Sequence, residues 1–139
     1  MDMLHMAAAT AAGGRQGWMR SDDGVLNAPL AHLKELGGPG GHATDPEQLL
    51  AAGCAACFEN APLRGARERK APLREASVTA RVGIGREADG FFRLAVAFEV
   101  PVPGRNRAEI KEFAHIAHPE VCPCSRPTRG KTDVVVSAV

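Results

Sequence analysis

Four cysteines in two pairs are the residues of this chain best suited to chemistry. Cys54 and Cys57 lie three apart in the apolar run LLAAGCAACF, and Cys122 and Cys124 form Cys-Pro-Cys much further along. Three kinds of chemistry compete for them. A buried cysteine is ordinarily a small hydrophobe. Four thiolates can also bind zinc, but one intervening residue in the second pair is poor knuckle spacing, and a rigid helix aims the first pair less well than a turn would. The third reading is a redox dithiol. A thiol of ordinary pKa, near 8.5, is only about 3% thiolate at neutral pH, so a peroxide-reactive cysteine needs a cation beside it. Lowering that pKa by ~2 units takes about 2.7 kcal/mol of differential stabilisation. Arginine, permanently charged, is the natural source. Arg15 in a Gly-Gly-Arg turn, and Arg126 and Arg129 beside the second cysteine pair, are the candidates. Composition and spacing do not choose among them.

The elements that must position these residues follow from turn chemistry and hydrophobic period. Ser21-Asp22-Asp23-Gly24 reads as a turn between short strands, expected around Ala9–Gly13 with Met19–Arg20 and over Val25–Leu30. Gly37-Gly38-Pro39-Gly40-Gly41 holds neither helix nor central strand and is a loop. The clearest helix start comes next, at Thr44-Asp45-Pro46-Glu47. Thr44 as N-cap with Glu47 three residues on makes a capping box, which would explain Glu47 structurally. Asp45 as N-cap with Pro46 at the first helical position fits almost as well. The helix that follows is apolar nearly all round, so it is expected to be buried within the molecule or between subunits. Pro62 should kink or interrupt it, and Arg64–Lys70 reads as a solvated helix end.

From Ser77 the period changes to two. Val78, Ala80, Val82 and Ile84 alternate, Asp89-Gly90 makes a hairpin turn, and Phe92, Leu94, Val96 and Phe98 return. Arg107–Ala117 is expected to be a helix with Ile110 and Phe113 on one face and Lys111 and Glu112 outward, and Thr132–Val139 a final strand. The order of elements makes an α+β fold. At 139 residues the chain is read as a single domain, 1–139.

The charge balance, 17 Lys and Arg against 16 Asp and Glu, argues against binding nucleic-acid phosphates. Five Phe, one Trp and no Tyr do not make a base-stacking platform. No apolar run approaches the roughly 18 residues of a membrane span, and MDMLHMAAATAAGGR has an acid where a signal peptide is basic. The expectation is a cytoplasmic protein without nucleic-acid or membrane partners.

Gly13-Gly14-Arg15, Ser21-Asp22-Asp23-Gly24, Glu35-Leu36-Gly37-Gly38-Pro39-Gly40-Gly41 and Thr44-Asp45-Pro46-Glu47-Gln48-Leu49 occur in that order. Ala51-Ala52-Gly53-Cys54-Ala55-Ala56-Cys57-Phe58, Val121-Cys122-Pro123-Cys124-Ser125 and Thr128-Arg129-Gly130 follow them. Together they resemble the organic hydroperoxide resistance (Ohr) branch of the OsmC/Ohr family, through nearly the whole chain. The resemblance implies antiparallel sheets around a central buried helix in an intertwined homodimer. It also implies a thiol peroxidase that reduces organic and fatty-acid hydroperoxides with no metal or haem cofactor and is recycled by a dithiol, typically a lipoylated protein. Carried over by motif, Cys57 is the peroxidatic cysteine and Cys122 the resolving one. Arg15 activates the thiolate, and Glu47 holds Arg15 in place. The competing reading, of a different class, is a non-enzymatic module that binds zinc through four thiolates or senses redox state.

The chain departs from the family pattern at several points. Cys54 and Cys124 stand where members usually carry Tyr, Asp45 replaces a usual Asn, and Lys131 replaces the Asn after Arg-Gly. One additional residue, assigned to Pro119, lies between His118 and Val121, and the N-terminal lead-in is shorter and lacks the customary Tyr. None of these removes a catalytic position. Dull readings are preferred for four other residues: His115 and His118 at a helix end, His42 exposed in the glycine loop, and Trp18 in packing.

Helix arithmetic bears on the assembly. Glu47 and Cys57 are ten residues apart, roughly 15 Å along one straight helix and roughly 80° around it. One guanidinium cannot touch both. Either the helix breaks near Gly53, or the Arg15 and Glu47 serving one Cys57 come from the other subunit.

Overall fold

The computed structural model describes residues 2–68, 70, 77–101, 106–112 and 133–138. They form two compact units, Met1–Leu49 and Leu50–Val139. The α+β class expected from the sequence holds.

The first unit is an antiparallel meander of β1 (Ala9–Ala12), β2 (Trp18–Ser21) and β3 (Asn27–Pro29). Ala12 pairs with Trp18, and Trp18 also with Pro29. A short 3₁₀ turn, Gly14–Gln16, joins β1 to β2 and carries Arg15. Gly13 enters this turn at φ 81°, a left-handed conformation that glycine adopts without steric cost. At Gly17, which leaves it, a Cβ would sit 1.8 Å from the Ala12 carbonyl oxygen. The glycines therefore fix where the arginine is displayed.

The expected turn at Ser21–Gly24 is present. The Ser21 hydroxyl donates to Asp23 Oδ1 at 2.5 Å, and the Val25 N–H donates to the same oxygen at 3.0 Å. Strand β3 starts two residues later than expected, because Leu26 belongs to the turn: its N–H donates to Ser21 Oγ and its carbonyl accepts from the Ser21 N–H. Beyond β3 the chain returns, and the Ala31 N–H donates to the Thr44 carbonyl at 2.8 Å.

Helix α1 spans Pro46–Phe58 without interruption at Gly53. Its cap is Asp45, whose Oδ1 accepts from the Gln48 N–H at 2.7 Å. Proline thus occupies the first helical position, where its missing N–H costs nothing. Thr44, the other candidate cap, donates its hydroxyl to Gln48 Oε1 instead. A second helix, α2, covers Asn60–Glu68. The break at Glu59 is the interruption expected from Pro62, which has no N–H to give the carbonyl four residues back. Arg64, Arg67 and Lys70 are exposed, as a solvated helix end requires.

The second unit holds the main core. Strands β4 (Thr79–Arg86) and β5 (Phe92–Val100) form the expected hairpin, with Ala80 opposite Phe98 and Val82 opposite Val96. Gly90, at φ 86°, makes the turn, and the Phe91 N–H donates to Asp89 Oδ1. Strand β6 (Asp133–Ala138) joins β5 in parallel, so this sheet is mixed, with an antiparallel hairpin and one parallel edge. The alternation puts Val96, Phe98 and Val100 inward, where they pack with Phe58, Ala66 and Ile110. The rings of Phe58 and Phe98 stack with centroids 4.3 Å apart and planes 17° from parallel. Ile110 comes from the helical residues 107–112, with Lys111 and Glu112 exposed as expected; Phe113 and the rest of that expected helix lie outside the described residues.

On the outer face of the hairpin, Arg81 grips the Glu99 carboxylate in bidentate fashion, at 2.8 and 3.1 Å. The Arg81 hydrogen bond holds the Glu99 carboxyl below its ordinary value; desolvation opposes it and the Arg81 charge adds to it. A depressed folded-state pKa contributes stability that is present above the unfolded value and lost as pH falls through the folded one. In an NMR titration Glu99 should therefore titrate below ordinary glutamates. Arg81→Ala should move it back up; an unmoved midpoint would rule out Arg81 as the cause.

Candidate active site

The start of α1 decides what Glu47 does. With Asp45 as the cap, Glu47 is the second helical residue, not the third, and the capping-box explanation for it falls away. Its carboxylate is directed at the β1–β2 turn instead. Arg15 Nη1 donates to Glu47 Oε1 at 3.4 Å, an ion pair within the first unit. The Glu47 side chain is only 10% exposed and that of Arg15 41%, so a sheltered carboxylate anchors a cation that still reaches solvent. The other carboxylate oxygen, Glu47 Oε2, is buried and has no hydrogen-bond partner among the described residues.

A guanidinium carries five N–H donors in a planar fork, so one bond to Glu47 leaves most of them for a second anion. A thiolate, a peroxide oxygen or a carboxylate has the right chemistry. Of the three arginines singled out in the sequence, Arg15 is the one the structure pairs with Glu47; Arg126 and Arg129 lie outside the described residues.

The thiols are in the second unit. Cys54 and Cys57 sit three residues apart near the C-terminal end of α1, with Cys54 buried and Cys57 half-buried. Cys54 belongs to the cluster around Phe58 and Phe98, and Cys57 packs against it. Such apolar surroundings disfavour a thiolate unless a cation or a hydrogen bond offsets the lost hydration. Cys122 and Cys124, with His115 and His118, lie outside the described residues. Among the described residues no group of three or more His, Cys, Asp or Glu is placed to hold a metal ion, and no helix is long and apolar enough to cross a membrane. His42 is exposed, as expected, whereas Trp18, expected to pack, is 48% exposed in the single chain.

Residues 38–137 match the family model described as OsmC-like protein. The organic hydroperoxide resistance protein of Xanthomonas axonopodis pv. citri (strain 306) is 45% identical over 136 residues, covering 97% of this chain and 94% of that protein. The chain belongs to the OsmC/Ohr family. Within it, OhrB of Bacillus subtilis (strain 168) is 39% identical over 134 residues, covering 94% of this chain and 95% of that protein. Structures agree with sequences. The crystal structure of an organic hydroperoxide resistance protein from Legionella pneumophila superposes with a TM-score of 0.88 at 42% identity, covering 99% of this chain and 98% of that one. That of Bacillus subtilis OhrB gives 0.87 at 35% identity, covering 99% and 100%.

The sequence left the cap open between Thr44 and Asp45, and it is Asp45 that caps the helix and so positions Glu47. The Asp-Pro dipeptide was the available signal for it. A stability experiment follows from the ion pair. Arg15→Ala should destabilise the fold by about 1 kcal/mol, the scale of one charge-assisted bond discounted for solvent screening of the exposed partner. Adding Glu47→Gln should recover part of the loss, because an unpaired amide is cheaper to bury than an unpaired carboxylate. Urea midpoints of the single and double variants measure both; a double variant weaker than Arg15→Ala alone would contradict the pairing.

Proposed function

We propose that this chain is a thiol peroxidase that reduces organic hydroperoxides, fatty-acid hydroperoxides included, to alcohols. The observation that carries the reading is the Arg15–Glu47 pair, a cation held by a sheltered carboxylate in a chain whose reactive candidates are thiols in apolar surroundings. Membership of a family with relatives named for organic hydroperoxide resistance supports it. An apolar helix turn also suits bulky organic peroxides better than small, strongly hydrated hydrogen peroxide.

In this mechanism the Cys57 thiolate, stabilised by Arg15, attacks one peroxide oxygen. The O–O bond breaks, the alcohol leaves with a proton, and Cys57 becomes a sulfenic acid. The Cys122 thiol attacks the sulfenic sulfur, water leaves, and a disulfide closes. A dithiol, with a lipoylated protein as the physiological candidate, reopens it by exchange. No metal or organic cofactor takes part, and the reaction belongs to the cytoplasm.

We further propose a homodimer with two composite sites, Cys57 and Cys122 from one chain and Arg15 and Glu47 from its partner. The continuous course of helix α1 through Gly53 supports this arrangement. Ala52, Gly53 and Ala56 are exposed on α1 in the single chain, an apolar face suited to a second copy of the helix.

Two experiments test these proposals. With dihydrolipoamide, the wild type should consume tert-butyl hydroperoxide far faster than hydrogen peroxide. Cys57→Ser should lose on the order of 10³-fold, as expected for a removed nucleophile. Cys54→Ser and Cys124→Ser should keep a substantial fraction, while Arg15→Ala should shift the thiolate absorbance of Cys57 to higher pH. Stoichiometric zinc without turnover would replace this reading with the four-thiolate module. For the composite site, inactive Cys57→Ser and Arg15→Ala chains are coexpressed. If the site spans the interface, each mixed dimer regains one intact site, and activity returns to about a quarter of wild type under random pairing. If each site lies within one chain, nothing returns.

A further inference from the structure

Cys54 has no part in the mechanism above. It is buried, at 5% exposure. It lies three residues before Cys57 near the C-terminal end of α1, and both thiols pack in the same core cluster, so they lie on one side of the helix. For regular helix geometry, residues three apart have Cα atoms about 5 Å from each other. That is inside the span a disulfide bridges, although the Cβ atoms must close by about 2 Å from their helical separation.

We propose that Cys54 is a second resolving thiol for Cys57, acting within the same helical turn; the proposal rests on the peroxidase reading above. Burial keeps Cys54 from meeting a bulky hydroperoxide, but not from meeting its own neighbour once that neighbour is oxidised. In the step, the Cys54 sulfur attacks the sulfenic sulfur of Cys57. An S–S bond forms, the S–O bond breaks, and hydroxide leaves with the thiol proton as water. Cys54 is oxidised, the Cys57 sulfur is reduced from the sulfenic to the disulfide level, and the hydroperoxide is the ultimate oxidant.

The product is strained, because the Cβ atoms must be drawn together in a turn anchored at its C-terminal end. Phe58, one residue beyond Cys57, is wholly buried and stacked on Phe98, and the Glu59 N–H still donates to the Ala55 carbonyl at 3.0 Å. A strained disulfide is readily reduced, so an attacking dithiol reopens it quickly. The role suited to such a bond is rescue: it captures the sulfenic acid before a second peroxide drives it to the irreversible sulfinic state.

The test uses the full chain with Cys122→Ser, which removes the first resolving thiol and leaves Cys54 in place. The protein is treated with one equivalent of tert-butyl hydroperoxide, alkylated and digested with trypsin. Cys54 and Cys57 fall in a single peptide, residues 35–64, because no Lys or Arg lies between Lys34 and Arg64. The expected product is that peptide lacking two hydrogens and refractory to alkylation until a dithiol is added. Further substitution of Cys54→Ala should make Cys57 about tenfold more prone to sulfinic acid under excess peroxide. In that double variant dimedone should label Cys57. If dimedone labels Cys57 but the Cys122→Ser chain shows sulfinic Cys57 beside an alkylated Cys54, the second resolving role is wrong and the peroxidase reading stands. If Cys57 is never oxidised in any variant, both fall. Should Cys122→Ser not fold, the same peptide map on oxidised wild type decides, with the linked peptide expected as a minor species and its complete absence counting against the proposal.

Discussion

The hydrogen bond from the Gln48 N–H to Asp45 sets the first turn of α1, and the candidate chemistry of the first unit depends on it. A start one residue earlier would put Glu47 at the third helical position, where its carboxylate folds back on the cap. A start at Pro46 leaves that carboxylate for Arg15. The aspartate is itself buried, and a buried acid must be hydrogen-bonded to be tolerated. Capping the helix and sheltering the ion pair are two results of one choice of register.

Arg15 reaches that carboxylate because the turn carrying it has little latitude. Gly13 sits in a left-handed conformation, and Gly17 passes so close to Ala12 that no side chain fits. Two glycines and a capped helix thus do for the cation what a rigid core does for an apolar side chain: they remove the alternatives. Glu47 Oε2, without a partner among the described residues, gives the site capacity for one more donor.

How much of this was legible in the sequence depended on whether a residue's role was local. The β4–β5 hairpin was readable because one face is buried and the other is not, which writes a period of two, and because Asp89-Gly90 announces the turn. The break before Pro62 was readable from a missing N–H. The start of α1 was ambiguous because Thr44 and Asp45 can both cap, and only tertiary placement of Glu47 separates them. Val25 and Leu26 looked like strand because apolar content does not report that the Ser21 hydroxyl claims the Leu26 N–H. Arg15 was one of three arginines until family resemblance singled it out, since an ion pair spanning 32 positions has no signature in spacing. The parallel direction of β6 was likewise invisible: alternation tells which face a strand buries, not which way its neighbour runs.

That parallel edge has a consequence for how the second unit assembles. The two strands of the hairpin meet through a turn of a few residues, and their ladder runs from Arg86 opposite Phe92 to Thr79 opposite Glu99. Strand β6 cannot pair until the chain has crossed back from Val100 to Asp133, the crossover that any parallel neighbour demands. Loop-closure entropy makes the first pairing cheap and the second costly. The sheet thus combines a local antiparallel ribbon, which costs little chain entropy to close, with an edge strand whose pairing costs more. By pairing with β5, the distant strand covers an edge whose backbone groups would otherwise be open to a foreign strand.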